Sequence, residues 1–272
     1  MNDFAMAANA PVLDSDIPLR DWRGRAIDCG ACAHQALRAE GGCAPGRACV
    51  QDAYARRIDR FLRSHPELAG EHLAHPYFEV RAIAARHVDP FRLPALMADP
   101  DETVRLQVAL RLPQRLLACL REDPHREVRI RVAQRLDAAL LPTMLRDPDY
   151  EVRAMVARRA APALLPQLMH DADLQVRCEV ARRIAMPALW RMVEDRAPEV
   201  RRLVAERLPA PLLEALARDD DWLVRHAAAG RAVGATLKRL LRDVEADVRA
   251  RAAEQAAELA AAEAAPIRRI AP

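Results

Sequence analysis

Residues 99–122 read DPDETVRLQVALRLPQRLLACLRE, residues 123–146 read DPHREVRIRVAQRLDAALLPTMLR, and residues 147–170 read DPDYEVRAMVARRAAPALLPQLMH. One pattern returns every 24 residues. Its most constant part is a Val-Arg pair, found at Val80-Arg81, Val104-Arg105, Val128-Arg129, Val152-Arg153, Val176-Arg177, Val200-Arg201, Val224-Arg225 and Val248-Arg249. A fixed period of this length marks a stack of supersecondary units rather than one globular core. Each unit touches only its neighbours, so the 272 residues do not translate into a domain count.

Within a unit the expected order is Asp-Pro, a helix of about three turns, a turn, and a shorter apolar segment. Asp99-Pro100, Asp123-Pro124 and Asp147-Pro148 are expected to place an N-cap acceptor before a proline at the first helical position. Val104, Val108 and Leu112 then share a buried stripe at i, i+4 and i+8, and Ala109 allows a close neighbour. Pro113, Pro162, Pro187 and Pro209 stop that helix in their units. What is left of the 24 residues holds only about two turns, as in Leu116-Leu117-Cys119-Leu120, and a tight 3₁₀ turn is one economical way to fill it. Few glycines and 4% aromatics disfavour a sheet, so an all-α chain is expected.

Two arginine ladders run along the array. The first is the residue after each Val; the second follows six later, at Arg111, Arg135, Arg159, Arg183, Arg207 and Arg231. Pairs such as Asp101-Arg105, Asp149-Arg153 and Asp221-Arg225 suggest i, i+4 ion pairs, and the second ladder falls near helix C-termini, where cations suit the dipole. The other reading is an anion-binding surface. Phe78, Tyr150 and Trp222, two before Val, read as local staples at helix entries.

Upstream lies a different composition. Five of the eight glycines and four of the six cysteines fall between Trp22 and Val50, with the spacing Cys29-x2-Cys32-x10-Cys43-x5-Cys49. Four soft thiols on so short a segment suit zinc or an iron–sulfur cluster, and a gap of five before Cys49 departs from the paired spacing common in structural zinc sites. Arg23, Arg25, Arg38 and Arg47 could offset the charge of a thiolate-bound metal, and His34 is a substitute ligand. Cys119 and Cys178, alone in the repeats, read as buried thiols, and the scattered histidines as solvated or capping groups. Residues 1–50 are therefore expected to be a lead-in and cluster domain, 51–74 a linking helix and worn repeat, 75–255 the solenoid, and 256–272 a C-terminal cap and tail. No signal peptide or bilayer-spanning apolar run is evident, which places the expected setting in the cytoplasm.

Taken together, these motifs resemble the leucine-rich repeat variant (LRV) proteins with an N-terminal iron–sulfur domain. The resemblance covers nearly the whole chain, through the Asp-Pro, Val-Arg, Val-Ala and Leu-Leu positions and the four-cysteine segment. It implies a right-handed superhelix alternating α and 3₁₀ helices, and a 4Fe-4S cluster on Cys29, Cys32, Cys43 and Cys49. It also implies a setting near bacterial nitrogen-fixation genes. Asp171-Ala172, Asp195-Arg196, Asp219-Asp220 and Asp243-Val244 depart from the Asp-Pro start.

The expected function is a scaffold that docks a protein partner on the repeat surface, with the cluster redox-active or structural. Eight units spaced about 8–10 Å apart offer a surface on the order of 70 Å long. A nucleic-acid-binding solenoid using the Arg ladders is the alternative, although a net charge of +3 and few aromatics weigh against it. A zinc-clipped structural protein comes third. No nucleophile–base constellation or phosphate loop stands out, so catalysis is not expected.

Overall fold

The computed structural model describes residues 17–264. The start of the expected lead-in and the tail from Pro266 to Pro272 lie outside them. Contacts divide the chain into two compact units, residues 1–136 and 137–272.

The first unit holds α1 (Gln35–Ala39), α2 (Ala55–Ser64), α3 (Phe78–His87), α4 (Glu102–Ala109), α5 (Gln114–Leu117) and α6 (Arg126–Arg135). 3₁₀ helices Pro66–His72, Pro90–Leu96 and Ala118–Leu120 fall between them. In the second, α7 (Tyr150–Arg159), α8 (Leu174–Arg183), α9 (Pro198–Ala205), α10 (Trp222–Ala229), α11 (Gly234–Leu240) and α12 (Ala246–Ala264) alternate with 3₁₀ pieces such as Leu141–Met144, Pro162–Gln167 and Ala188–Met192. Pairing is confined to two isolated bridges, Arg20 with Ala26 and Ala44 with Ala48, among the described residues. Two repeats put a short α-helix, α5 or α11, where the others place 3₁₀ turns.

Packing follows the period. In each unit successive repeat helices lie against one another, α3 on α4 and α4 on α6, then α7 on α8, α8 on α9, α9 on α10 and α10 on α12. The first residue of each Val-Arg pair, from Val80 to Val248, is fully buried. Leucines of the second segment, among them Leu93, Leu117, Leu141 and Leu165, close the other side of this core at zero exposure.

The ladders serve the stack, in a way the sequence pattern did not anticipate. Arg105 sends Nε and Nη2 to the carboxylate of Asp123 at 2.8 and 3.0 Å, while its Nη1 bonds the carbonyls of Asp99 and Pro100 at 2.7 and 3.2 Å. Arg81 binds Asp99 in this way, as do Arg153 with Asp171, Arg177 with Asp195, Arg201 with Asp219, and Arg225 with Asp243. The partner is thus the aspartate 18 residues on, not the expected i, i+4 neighbour. Asp101, Asp149, Asp173 and Asp221 are instead the N-caps, accepting amides of the first helical turn. The Asp of Asp-Pro lies two residues earlier than a cap: Asp99 accepts the amide of Asp101 at 2.9 Å and shapes the turn.

The second ladder reaches backward. Arg111 donates to the carbonyls of Ala85 and Val88 at 2.8 and 2.7 Å, Arg135 to Ala109 at 2.6 Å, and Arg207 to Ala181 and Ile184 at 2.6 and 2.8 Å. These carbonyls end the preceding helix and have no partner within it.

Other expectations need correction. Cys178 is buried but Cys119 is exposed. Tyr150 and Trp222, expected at helix entries, do stand at the first positions of α7 and α10, 41% and 39% exposed. His72 is buried, not solvated, and its Nε2 lies 3.1 Å from that of the equally buried His34, so one ring donates to the other. Both pack on Phe61 of α2 and join the cysteine segment to the first repeat.

Three outcomes follow for stability. Arg177 and Asp195 are 5% and 7% exposed, so Arg177→Ala strands a buried carboxylate and should cost about 3 kcal/mol in urea unfolding. Arg177→Lys should not restore it, because an ammonium cannot make the fork. The exposed Arg218–Glu214 pair is the control, with a change of about 0.5 kcal/mol or less for Arg218→Ala. For pH, burial beside His34 and His75 pushes His72 down to about 4 from 6.5. The unfolded chain binds that proton first, so stability should be flat above about pH 6.5 and fall toward pH 4, a slope that His72→Phe should reduce. Burial raises the Asp99 and Asp171 carboxyls, but their arginine forks and backbone amides outweigh it and hold both below 3.8. The ladder contribution should therefore persist through that window and fail only in stronger acid.

Candidate metal centre

Local turns bring the cysteines together. The Asp28 carboxylate accepts the amides of Gly30 and Ala31 at 2.8 and 3.3 Å, curling the chain between Cys29 and Cys32. The Cys32 carbonyl then takes the amide of Gln35, and α1 begins. After α1, Gly41 at φ 74° reverses the chain toward Cys43. The five residues between Cys43 and Cys49 form a closed loop: Ala44 and Ala48 exchange both backbone hydrogen bonds at 2.9 Å, across a turn in which Gly46 has φ 80°. This explains the unusual spacing, since the loop returns the chain to where it left.

Cys49 is fixed from α2. Its amide donates to the Arg57 carbonyl at 3.1 Å, and the fully buried Arg57 guanidinium bonds Asp52 at 3.1 Å and the Ile17 carbonyl at 2.9 Å. Arg57 sits 24 residues before Arg81, yet its carboxylate partner is five residues back in sequence. It has become the hinge pin of the cysteine segment.

All four candidate ligands, Cys29, Cys32, Cys43 and Cys49, line one cavity with His34 and Arg38. Cys49 is buried and the other three are half-buried; none is in a disulfide. Burial pushes the Cys49 thiol up to about 12, with Asp52, Cys29 and Cys32 adding to the shift. Burial raises Cys43 as well, again helped by Cys32 and Cys29, while Arg38 opposes the rise. These mutual effects place the thiols within electrostatic reach of one another. Cys43 and Cys49 thus hold their protons more tightly than free thiols, a cation that binds thiolates displaces them, and the chemistry of the set fits a four-thiolate site. No group of three or more His, Cys, Asp or Glu side chains is gathered as for a single metal ion among the described residues.

Of the four arginines expected to offset cluster charge, Arg38 lines the cavity. Arg25 is engaged with Asp21 at 2.7 Å, and Arg23 lies 4.4 Å over the Trp22 ring. His34 faces the cavity as well, but its Nε2 is taken up by His72. The roles of Asp28 and Arg57 escaped the sequence reading. Asp28 had a usable sign, an Asp two residues before Gly in the Cys-x2-Cys turn; Arg57 was hidden by its resemblance to a ladder residue.

Three comparisons bear on this arrangement. A family model described as "LRV protein FeS4 cluster" matches residues 19–71, which include all four cysteines. A second, "Leucine rich repeat variant", matches residues 78–101, 150–173 and 198–221. Among known proteins, an uncharacterized 27.7 kDa protein in the nifB 3' region of Rhodobacter capsulatus is 54% identical over 93 residues, 34% of this chain and 38% of that protein. The chain therefore matches well under half of that relative's length. A solved structure, described as a leucine-rich repeat variant with a novel repetitive protein structural motif, is 44% identical with a TM-score of 0.81, over 84% of this chain and 98% of the other. No described helix is long and apolar enough to cross a membrane. With its helix and 3₁₀ repeat, its four-cysteine cavity and a 44% identical structural relative covered almost end to end, the chain belongs to the leucine-rich repeat variant proteins that carry an N-terminal iron–sulfur domain.

Proposed function

We propose that the protein is a non-enzymatic, cytoplasmic interaction scaffold whose cysteine domain holds a 4Fe-4S cluster on Cys29, Cys32, Cys43 and Cys49. The observation that carries this reading is the shared cavity of the four thiols at the start of a repeat array. A cluster so bound supplies one-electron transfer. The chain's own part is to hold four thiolates, with Arg38 offsetting their charge and His34 packed beside them. A setting in nitrogen fixation is supported by the Rhodobacter relative, a protein of the nifB 3' region.

The repeats support docking of a protein more than binding of nucleic acid. A phosphate-binding ladder needs free guanidiniums, and six first-ladder arginines are forked onto aspartates. Arg111, Arg135, Arg183, Arg207 and Arg231 of the second ladder are bonded to carbonyls. What remains outward is a mixed surface, suited to side chains of a folded partner.

Protein purified without oxygen should contain iron and acid-labile sulfide in near-equal amounts, about four of each per chain. Zinc without sulfide would overturn the cluster reading. Cys43→Ser should lose most of the iron while the helical signal of the repeats persists, and unchanged iron would overturn the ligand assignment. Duplex DNA titrated at falling salt should show no steep gain in affinity.

A further inference from the structure

The last repeat displays a face that earlier repeats cover. In the second unit, Ala157, Ala181, Ala205 and Ala229, each five residues after its Val, are fully buried, and the matching Ala253 is exposed. The ladder arginine behaves alike. Arg153, Arg177, Arg201 and Arg225 are at most 18% exposed, each forked onto an aspartate 18 residues on. Arg249 is exposed. Its Nη1 bonds the carbonyls of Asp243 and Val244 at 2.7 and 2.9 Å, the same tether as in the other repeats. The guanidinium is thus held in the ladder pose, and among the described residues no carboxylate meets its Nε and Nη2.

Helix α12 is also the longest among the described residues, with 19 residues. Arg249, Ala253, Ala256, Ala260 and Glu263 follow one another at spacings of four and three, so they form one stripe along it. Core-facing Val248 and Ala252, both fully buried, flank this stripe along one edge, Ala252 one turn before the half-buried Ala256. Ala253, Ala260 and Glu263 are exposed and Ala256 is half-buried. The stripe has a cation at one end, a carboxylate at the other, and only alanine between.

We propose that this face is the interface between two copies of the chain, packed with their α12 helices antiparallel about a two-fold axis near Ala256. A two-fold contact must be self-complementary, and this stripe is: with the axis at Ala256, Arg249 of each copy meets Glu263 of the other. The alanines let the helices approach closely, and each Arg249 fork receives the carboxylate that the next repeat supplies elsewhere. Residues 265–272 contain Arg268 and Arg269 and no acidic side chain, so they complement Arg249 poorly. The inference is independent of the cluster assignment.

Mass of the full chain in solution, measured by light scattering or sedimentation over a concentration series, tests it. A monomer–dimer equilibrium is expected, weakened by added salt. Arg249→Glu and Glu263→Arg should each raise the dissociation constant at least about tenfold, since each puts like charges opposite one another twice. The double variant Arg249→Glu/Glu263→Arg should restore it. Ala256→Cys in a Cys119→Ser background should form a disulfide-linked dimer on mild oxidation. A monomer at every concentration overturns the proposal, as does a dimer that neither single reversal weakens. If the Ala256→Cys thiol is protected in a monomer, the chain's own residues cover the face, and the proposal also fails.

Discussion

A guanidinium fixed by two carbonyls of its own turn and aimed at the aspartate 18 residues on sets the step of this molecule. Each such arginine spends four of its five donors on structure: one nitrogen satisfies the turn before its helix, and the fork crosses to the turn that opens the next. The aspartate in turn accepts the amide two residues ahead. Two successive turns are thereby locked by one side chain. Their cost of burial is met because every charge is paired and hydrogen-bonded, which is the condition under which buried ion pairs hold rather than weaken a fold. Burial of Val, Ala and Leu supplies the driving force, while the arginine specifies the register.

This division explains why the repeat tolerates loss of proline but not of the aspartate. Pro100 becomes Ala172, Arg196, Asp220 or Val244 in later units, and only the backbone carbonyl of that residue enters the ladder. Arg177 bonds the carbonyl of Ala172 at 3.2 Å as Arg105 bonds that of Pro100. The aspartate before it is the fork's target and is present from Asp99 to Asp243. At the first array position that residue is His75, and there the mould changes: Arg57 turns to Asp52, and the surrounding rings of His34, Phe61 and His72 take over the packing.

Much of this was legible in the sequence. The period, a full helix followed by a shorter apolar segment, and the grouping of four cysteines all follow from spacing, and the family resemblance implies that the shorter segment is 3₁₀. What spacing could not give was the partner of each arginine. Asp101 four residues before Arg105 and Asp123 eighteen after are equally regular, and helix statistics favour the nearer. The nearer one is already committed to the amide of Thr103, a fact set by the cap and visible only in three dimensions. The same blindness affected the histidines: His72 lies in a polar run, PELAGEH, yet folds inward against His34, whose ring is 38 residues away.

The two halves of the design differ in what they need. The repeats carry their own counter-charges, so their fold is complete with protein groups alone. The cysteine segment is not balanced in that sense. It has little regular structure beyond α1, its turns rest on Asp21, Asp28 and the glycines, and burial makes two of its converging thiols, Cys43 and above all Cys49, harder to ionise. A cation that binds thiolates removes that penalty and crosslinks three short segments at once. Its binding energy is therefore folding energy for residues 29–49, delivered to the array through Arg57 and the Cys49 backbone. The Cys49 amide on the Arg57 carbonyl, with the Arg57 guanidinium buried on Asp52 and the Ile17 carbonyl, is therefore where the order of that segment is tied to α2 and so to the first repeats.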